Sequence, residues 1–158
     1  MSTAPLPIEI VRGTPADLRA VNAIMTESFD PRFGEAWTPS QCLGMLALPG
    51  VWFTLAWIDG EPVGFALARA VLDESELLLL AIHPKRRRRG IGRALLRSAI
   101  ADARSRGATM MHLEVRANND AVALYRNEGF RKIGERRGYY RGNDNKIFDA
   151  HTFSKMFD

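Results

Sequence analysis

LLLLAIHPKRRRRGIGRALL, residues 77–96, is the stretch on which the reading of this 158-residue chain turns. It opens as an apolar strand, Leu77 to Ile82, and is stopped by His83-Pro84. Five basic residues follow, Lys85 to Arg89, and the chain enters a helix through Gly90-Ile91-Gly92. A helix start carries unpaired backbone N–H groups and partial positive charge, and glycine lets an anion approach them closely. Arginine adds a fork that matches phosphate oxygens. The order strand, basic turn, two glycines, amphipathic helix therefore suits a multiply charged phosphate ligand. A basic run by itself is equally a solvated face or a nucleic-acid patch, so that reading stays open. The stretch is neither a dinucleotide fingerprint, since Leu95 stands where a third glycine belongs, nor a Walker loop.

The rest of the composition narrows the field. A chain of this length fits one domain, 1–158, with room for a sizeable core. The net charge of +4 is modest, and Lys85 to Arg89 account for much of it, which favours a local anion over protein-wide affinity for nucleic acid. One cysteine, Cys42, allows no internal disulfide and no thiolate metal site, and its apolar helical surroundings suit a buried residue. No metal site is read. The start, MSTAPLPIEI, lacks a charged segment followed by an apolar one, and no apolar run reaches membrane-spanning length, so the expected location is cytoplasmic.

Upstream, Ile8–Arg12 reads as a first strand, and Thr14-Pro15 opens a helix whose Leu18, Val21, Met25 and Phe29 form one apolar face. A loop rich in proline, glycine and aromatics, Asp30–Trp37, precedes a second helix from Pro39 to about Ala47, capped by Thr38 with Gln41 at capping-box spacing. Val51–Ile58 and Pro62–Val71 read as a hairpin across Asp59-Gly60, with a further turn over Leu72–Ser75 leading into the Leu77 strand. Downstream, the helix after Gly92 ends at Gly107, and Met110–Arg116 is a fifth strand with Met111, Leu113 and Val115 on one face and His112, Glu114 and Arg116 on the other. Asn118 to Asp120 cap a short helix ending at Gly129, and Arg131–Arg137 and Lys146–Met156 close the chain as strands around a polar loop, Gly138–Asn145. The fourth and fifth strands flank a helical crossover and should be parallel neighbours.

Two segments then carry a family resemblance. Arg87-Arg88-Arg89-Gly90-Ile91-Gly92 resembles the pyrophosphate loop of the GNAT superfamily of acetyl-CoA-dependent N-acetyltransferases, and LEVRANNDAVALYRNEGF, residues 113–130, resembles that family's second acetyl-CoA segment. Within the superfamily the chain looks most like the RimI type, which acetylates a ribosomal protein's N-terminal alanine. Tyr139-Tyr140 before a final hairpin and Trp37-Thr38 opening the second helix add to this. The resemblance is strong over Leu77–Phe130 and weak before Val51.

It implies an α/β (α+β) GNAT fold: a mixed, mostly antiparallel seven-stranded sheet with splayed parallel central strands and about four helices. It also implies acetyl-CoA as co-substrate, held by Leu80, Ala81 and Ile82 along the strand, by Arg87, Arg88, Arg89, Gly90, Ile91, Gly92 and Arg93 at the turn, and by Asn118 or Asn119, with Tyr125 beside the sulfur. The spacing from Glu114 to Asn118 is one residue short of the family pattern, which brings Asn119 into contention. Glu114 takes the family's general-base position and Tyr125 its general-acid position; without the resemblance, Glu114 reads as a solvated strand-end residue paired with Arg116. Glu35, Trp37, Tyr139 and Tyr140 are the expected acceptor contacts. The implied acceptor is a peptide or protein N-terminal amine, with a small amine or a lysine side chain as the alternative. The expected assembly is a monomer or homodimer, with no membrane partner and nucleic acid the less favoured reading.

Overall fold

The computed structural model describes residues 6–158. The expectation drawn from the first ten residues falls partly on 1–5, outside the described residues. Seven strands form one sheet: β1 Glu9–Arg12, β2 Val51–Ile58, β3 Glu61–Val71, β4 Glu74–Ile82, β5 Met110–Arg116, β6 Arg131–Arg141 and β7 Ile147–Met156, in the order β1-β2-β3-β4-β5-β7-β6. All neighbours are antiparallel except β4 and β5. The helices are α1 Leu18–Ser28, α2 Pro39–Leu46, α3 Ile91–Ser105 and α4 Ala121–Asn127.

Patterning sorts the helices onto two faces. Ile91, Leu95, Leu96, Ala99 and Ala103 of α3 pack with Ala66, Ala68, Leu77, Met111, Leu113 and Val115, all buried. On the opposite face Val21, Ile24 and Met25 of α1 and Cys42 of α2 cover Phe53, Leu55, Phe65, Leu67 and Leu79. Cys42 is thus a core residue, and burial pushes its thiol up from the ordinary value. β3 and the Leu77–Ile82 part of β4 are apolar on both sides because both faces are covered, which is why the Leu77 run shows no polar alternation.

The α2 start follows its sequence closely. Thr38 Oγ1 accepts from Gln41 N (3.1 Å) and Thr38 N donates to Gln41 Oε1 (2.8 Å), the reciprocal capping box. Removing the hydroxyl in Thr38→Ala is expected to lower the unfolding free energy by about 1 kcal/mol at unchanged denaturant slope, measured by urea titration.

Boundaries differ from the sequence reading at three places. Pro15–Asp17 forms a 3-10 turn and α1 proper opens at Leu18, because Thr14 N is closed onto Asp17 Oδ2 (2.9 Å). β4 begins at Glu74, with the reversal tightened to Leu72-Asp73 and Leu72 in the left-handed region (φ 55°). β6 runs on to Arg141 through residues read as loop: its register with β7 slips between Arg136 and Tyr140, and Gly138 N donates to Asp149 Oδ1 (2.9 Å) across the irregularity. A bulge of this kind keeps a strand going while re-aiming its side chains; here Tyr139 and Tyr140 both reach the cleft described next.

Candidate active site

β4 and β5 pair only over Glu74–Leu77 and Met110–Leu113. Beyond Leu77 the two strands part, although β3 stays paired with β4 as far as Ile82. The β5-facing edge of Leu78–Ile82 therefore has backbone groups with no strand partner, at the bottom of an open cleft of about 1660 Å³. One end of this cleft is the α3 start, the other the Asp30–Trp37 loop and the β6–β7 hairpin.

At the α3 end, Gly90 is the N-cap with φ +79°, a conformation that suits glycine, and the first helical bond runs from Ala94 N to Gly90 O (3.0 Å). The N–H groups of Ile91, Gly92 and Arg93 precede that bond and have no intrahelical acceptor. Arg86, Arg87, Arg88 and Arg93 line the same end. Arg87 donates to Ser28 O (2.9 Å), which pins the turn to the end of α1, and His83 supports it by accepting Lys85 N (3.2 Å) and pairing with Glu27 through Nε2. Two members of the basic run are placed differently from the sequence reading. The chain reverses at Arg88 (φ +66°), and neither Lys85 nor Arg89 lies on the cleft wall; Arg89 points to solvent. With Arg86 also paired to Glu61 (3.3 Å), the run is divided between the cleft wall and the solvent-facing side of the turn.

At the other end, Glu114 is mostly buried and bonded not to Arg116 but to Arg136 (Nε to Oε1, 2.8 Å), a β6 residue. Arg116 turns inward instead. Its guanidinium lies 3.6 Å from the Phe33 ring centroid, its Nε donates to Glu35 Oε1 (3.2 Å), and its Nη1 donates to Asn118 Oδ1. Asn119 Nδ2 donates to the other Glu35 oxygen (2.9 Å), while Asn119 Oδ1 accepts Ala121 N (2.8 Å) at the start of α4. Glu35, read from sequence as an acceptor contact, thus has both oxygens bonded to the protein. Both asparagines are bonded within the protein as well.

The chain has three tyrosines, and all line this cleft. Tyr125 is buried, edge-on to Phe130 (5.9 Å), and its phenol is held well above the ordinary value, first by burial and then by Tyr140 and Glu35. Tyr140 is raised for the same first reason, with Glu35, Tyr139 and Glu114 adding and Arg116 opposing. Tyr139 is raised by burial and by Glu114. Each is a neutral O–H donor across the physiological range. Trp37 completes the wall on the loop side.

Glu76 is a cleft residue that sequence reading missed. It neighbours His112 across the β4–β5 ladder (3.7 Å), and burial raises its carboxyl, with Glu114 adding and His112 opposing. A lone glutamate just ahead of an apolar run was the available signal. Arg136 carried none, because its partner lies on another strand.

Residues 18–130 match the acetyltransferase (GNAT) family. The [ribosomal protein bS18]-alanine N-acetyltransferase of Escherichia coli (strain K12) is 42% identical over 89 residues, 56% of this chain and 60% of that protein. The N-alpha-acetyltransferase RimI of Mycobacterium tuberculosis is 37% identical over 126 residues, covering 77% of this chain and 76% of its own length. The crystal structure of the ribosomal-protein-S18-alanine N-acetyltransferase from Escherichia coli superposes with a TM-score of 0.85 at 30% identity, covering 96% of this chain and 95% of that one. The alignment with the first of these spans less than two thirds of its length. No helix among the described residues is long and apolar enough to cross a membrane.

Proposed function

The chain belongs to the acetyltransferase (GNAT) family, and from that premise we propose that it moves the acetyl group of acetyl-CoA to the α-amine of a peptide or protein N-terminus. The observation that carries this reading is the parting of β4 from β5 directly after Leu77, beside the glycine turn of α3. A thioester arm needs an extended slot with backbone donors, and a diphosphate needs a helix start; the two adjoin here.

In this reading Gly90, Ile91, Gly92, Arg87, Arg88 and Arg93 hold the diphosphate, and the open edge at Leu80, Ala81 and Ile82 holds the arm. An unpaired N–H of β4 there donates to the thioester oxygen as it gains charge; one such donor contributes about 3–4 kcal/mol. Glu114 takes the proton lost by the amine, directly or through water. Tyr125 O–H gives a proton to the departing sulfur, and its burial keeps that proton in place. Trp37, Tyr139 and Tyr140 line the acceptor's entrance.

The amine has to attack uncharged. At pH 7 this costs about 1.1 kcal/mol for an α-amine of pKa about 7.8 and about 4.6 kcal/mol for a lysine near 10.4, a ratio of roughly 400 in the neutral fraction. The names above that specify an acceptor, both from Escherichia coli, give the alanine of a ribosomal protein. Incubating peptides that begin with alanine or serine and contain an internal lysine with acetyl-CoA, then locating the added acetyl by mass spectrometry, tests the proposal. Acetylation at the N-terminus, on the order of 100-fold faster than at lysine, is expected. Modification confined to lysine or to small free amines would overturn it.

A further inference from the structure

Glu35 lies 81 residues from Arg116 and 84 from Asn119, yet it joins them with one oxygen each. Both charged side chains of the pair are about nine-tenths buried (10% and 8% exposed). The loop that carries Glu35 is built to stay put. Asp30 accepts Arg32 N (3.0 Å) and Arg32 Nε (2.8 Å), Phe33 sits edge-on to Phe148 of β7 (5.2 Å), and Asn143 N donates to Pro31 O (3.2 Å). At Gly142 a Cβ would fall 1.7 Å from Arg32 O, so loop and hairpin touch backbone to backbone. The residues on the other side of the tie belong to the reacting end: Arg116 closes β5 two residues after Glu114, and Asn119 holds the first amide of the helix that carries Tyr125.

We propose that Glu35 is a positioning residue: through Arg116 and Asn119 its carboxylate fixes the acceptor loop to the end of β5 and the start of α4, so that the acceptor's seat is held in register with Glu114 and Tyr125. The inference deepens the proposed N-acetyltransferase reading and rests on it. Glu35 touches no reacting atom in this scheme. The diphosphate turn and β4 are outside its reach; of the expected coenzyme contacts the tie meets Asn119, whose Nδ2 and Oδ1 are already bonded to Glu35 and to Ala121 N, so its effect falls on the acceptor.

Steady-state kinetics and amide hydrogen exchange read by mass spectrometry on Glu35→Gln and Glu35→Asp test this. Glu35→Gln keeps the shape, removes the charge and sets an amide N–H₂ against a donor; it is expected to raise the KM for an alanine-starting peptide about tenfold, while the KM for acetyl-CoA stays within about twofold. Untying the carboxylate loosens residues 30–37, so exchange in that segment quickens several-fold in both variants while α3 and β4 keep their protection. Glu35→Asp retains the charge but shortens the reach, and the peptide KM rises several-fold. If Glu35→Gln leaves Arg116 uncompensated and does not fold, Glu35→Asp alone decides. An unchanged peptide KM in Glu35→Asp, a parallel rise in both KM values, or unchanged exchange over residues 30–37 in the folded variants would overturn the proposal. Exchange needs no acceptor, so it still reads the tie if the unaltered chain acetylates no peptide, an outcome that would count against the N-terminal acceptor and not against Glu35.

Discussion

Gly92→Val is expected to leave the chain folded and to weaken coenzyme A binding by at least about 100-fold. A Cβ at this position would lie 3.1 Å from Leu124 and 3.7 Å from Ile82, so valine's methyls fill the strip of wall between the end of β4 and α4. That strip adjoins the first-turn amides of α3 and the far end of the open β4 edge, at Ile82. Losing two charge-assisted hydrogen bonds at about 1.5–3 kcal/mol each amounts to roughly 3–6 kcal/mol, or two to four powers of ten in affinity. Valine is the better helix former of the two, and the neighbouring groups are side-chain ends that can turn aside, so the fold should survive. Isothermal titration with coenzyme A gives the affinity, and circular dichroism reports the fold. A folded variant with undiminished affinity would mean that the turn is not the anion's seat. Removing Arg88 or Arg93 alone should cost less, because each is one of several cations at that end.

The contrast between what was and was not legible follows from range. The phosphate turn is local: strand end, basic run and glycines lie within twenty residues, and each acts through backbone geometry that neighbours in sequence dictate. The parallel pairing of β4 and β5 was inferable from the single helix between them. The roles of Glu35 and Arg116 were not, because the bond joining them spans 81 residues and the local bond of Arg116, to Asn118, gives no sign of it. Strand alternation put Arg116 beside Glu114 as its natural counter-ion, but Phe33 from a distant loop offers a ring face and Glu35 a buried carboxylate, and that combination outcompetes the glutamate two residues away. Glu114 is left to Arg136, which only the pairing of β6 with β7 brings across. The extended β6 was hidden for another reason. Its glycine, tyrosines and polar residues have loop composition, and only the slip in register against β7 accommodates them as strand.

Glu114→Gln should lower kcat toward an N-terminal amine at pH 7 by about 10²–10⁴-fold, the usual contribution of a placed general base, while coenzyme A affinity changes little. The substitution keeps the side chain's size and its place at the end of β5, and glutamine can still accept the Arg136 N–H; what it cannot do is carry away a proton. The loss has a ceiling because the diphosphate seat, the β4 donor and the Tyr125 proton are untouched. It should also shrink as pH rises: above an amine pKa of about 7.8 most of the acceptor is already uncharged, so the variant gains about four- to fivefold between pH 7 and 8 and less than about twofold beyond. Tyr125 sets no opposing limb in that range, since its phenol pKa is raised above the ordinary value and the proton it donates is still present at pH 9. Initial rates for both proteins from pH 6 to 9 would show this converging pair of curves. A variant retaining turnover within threefold of the unaltered chain at pH 7 would remove Glu114 from proton transfer and leave Glu76, the other carboxylate on the cleft's β4–β5 wall, as the group to test in its place.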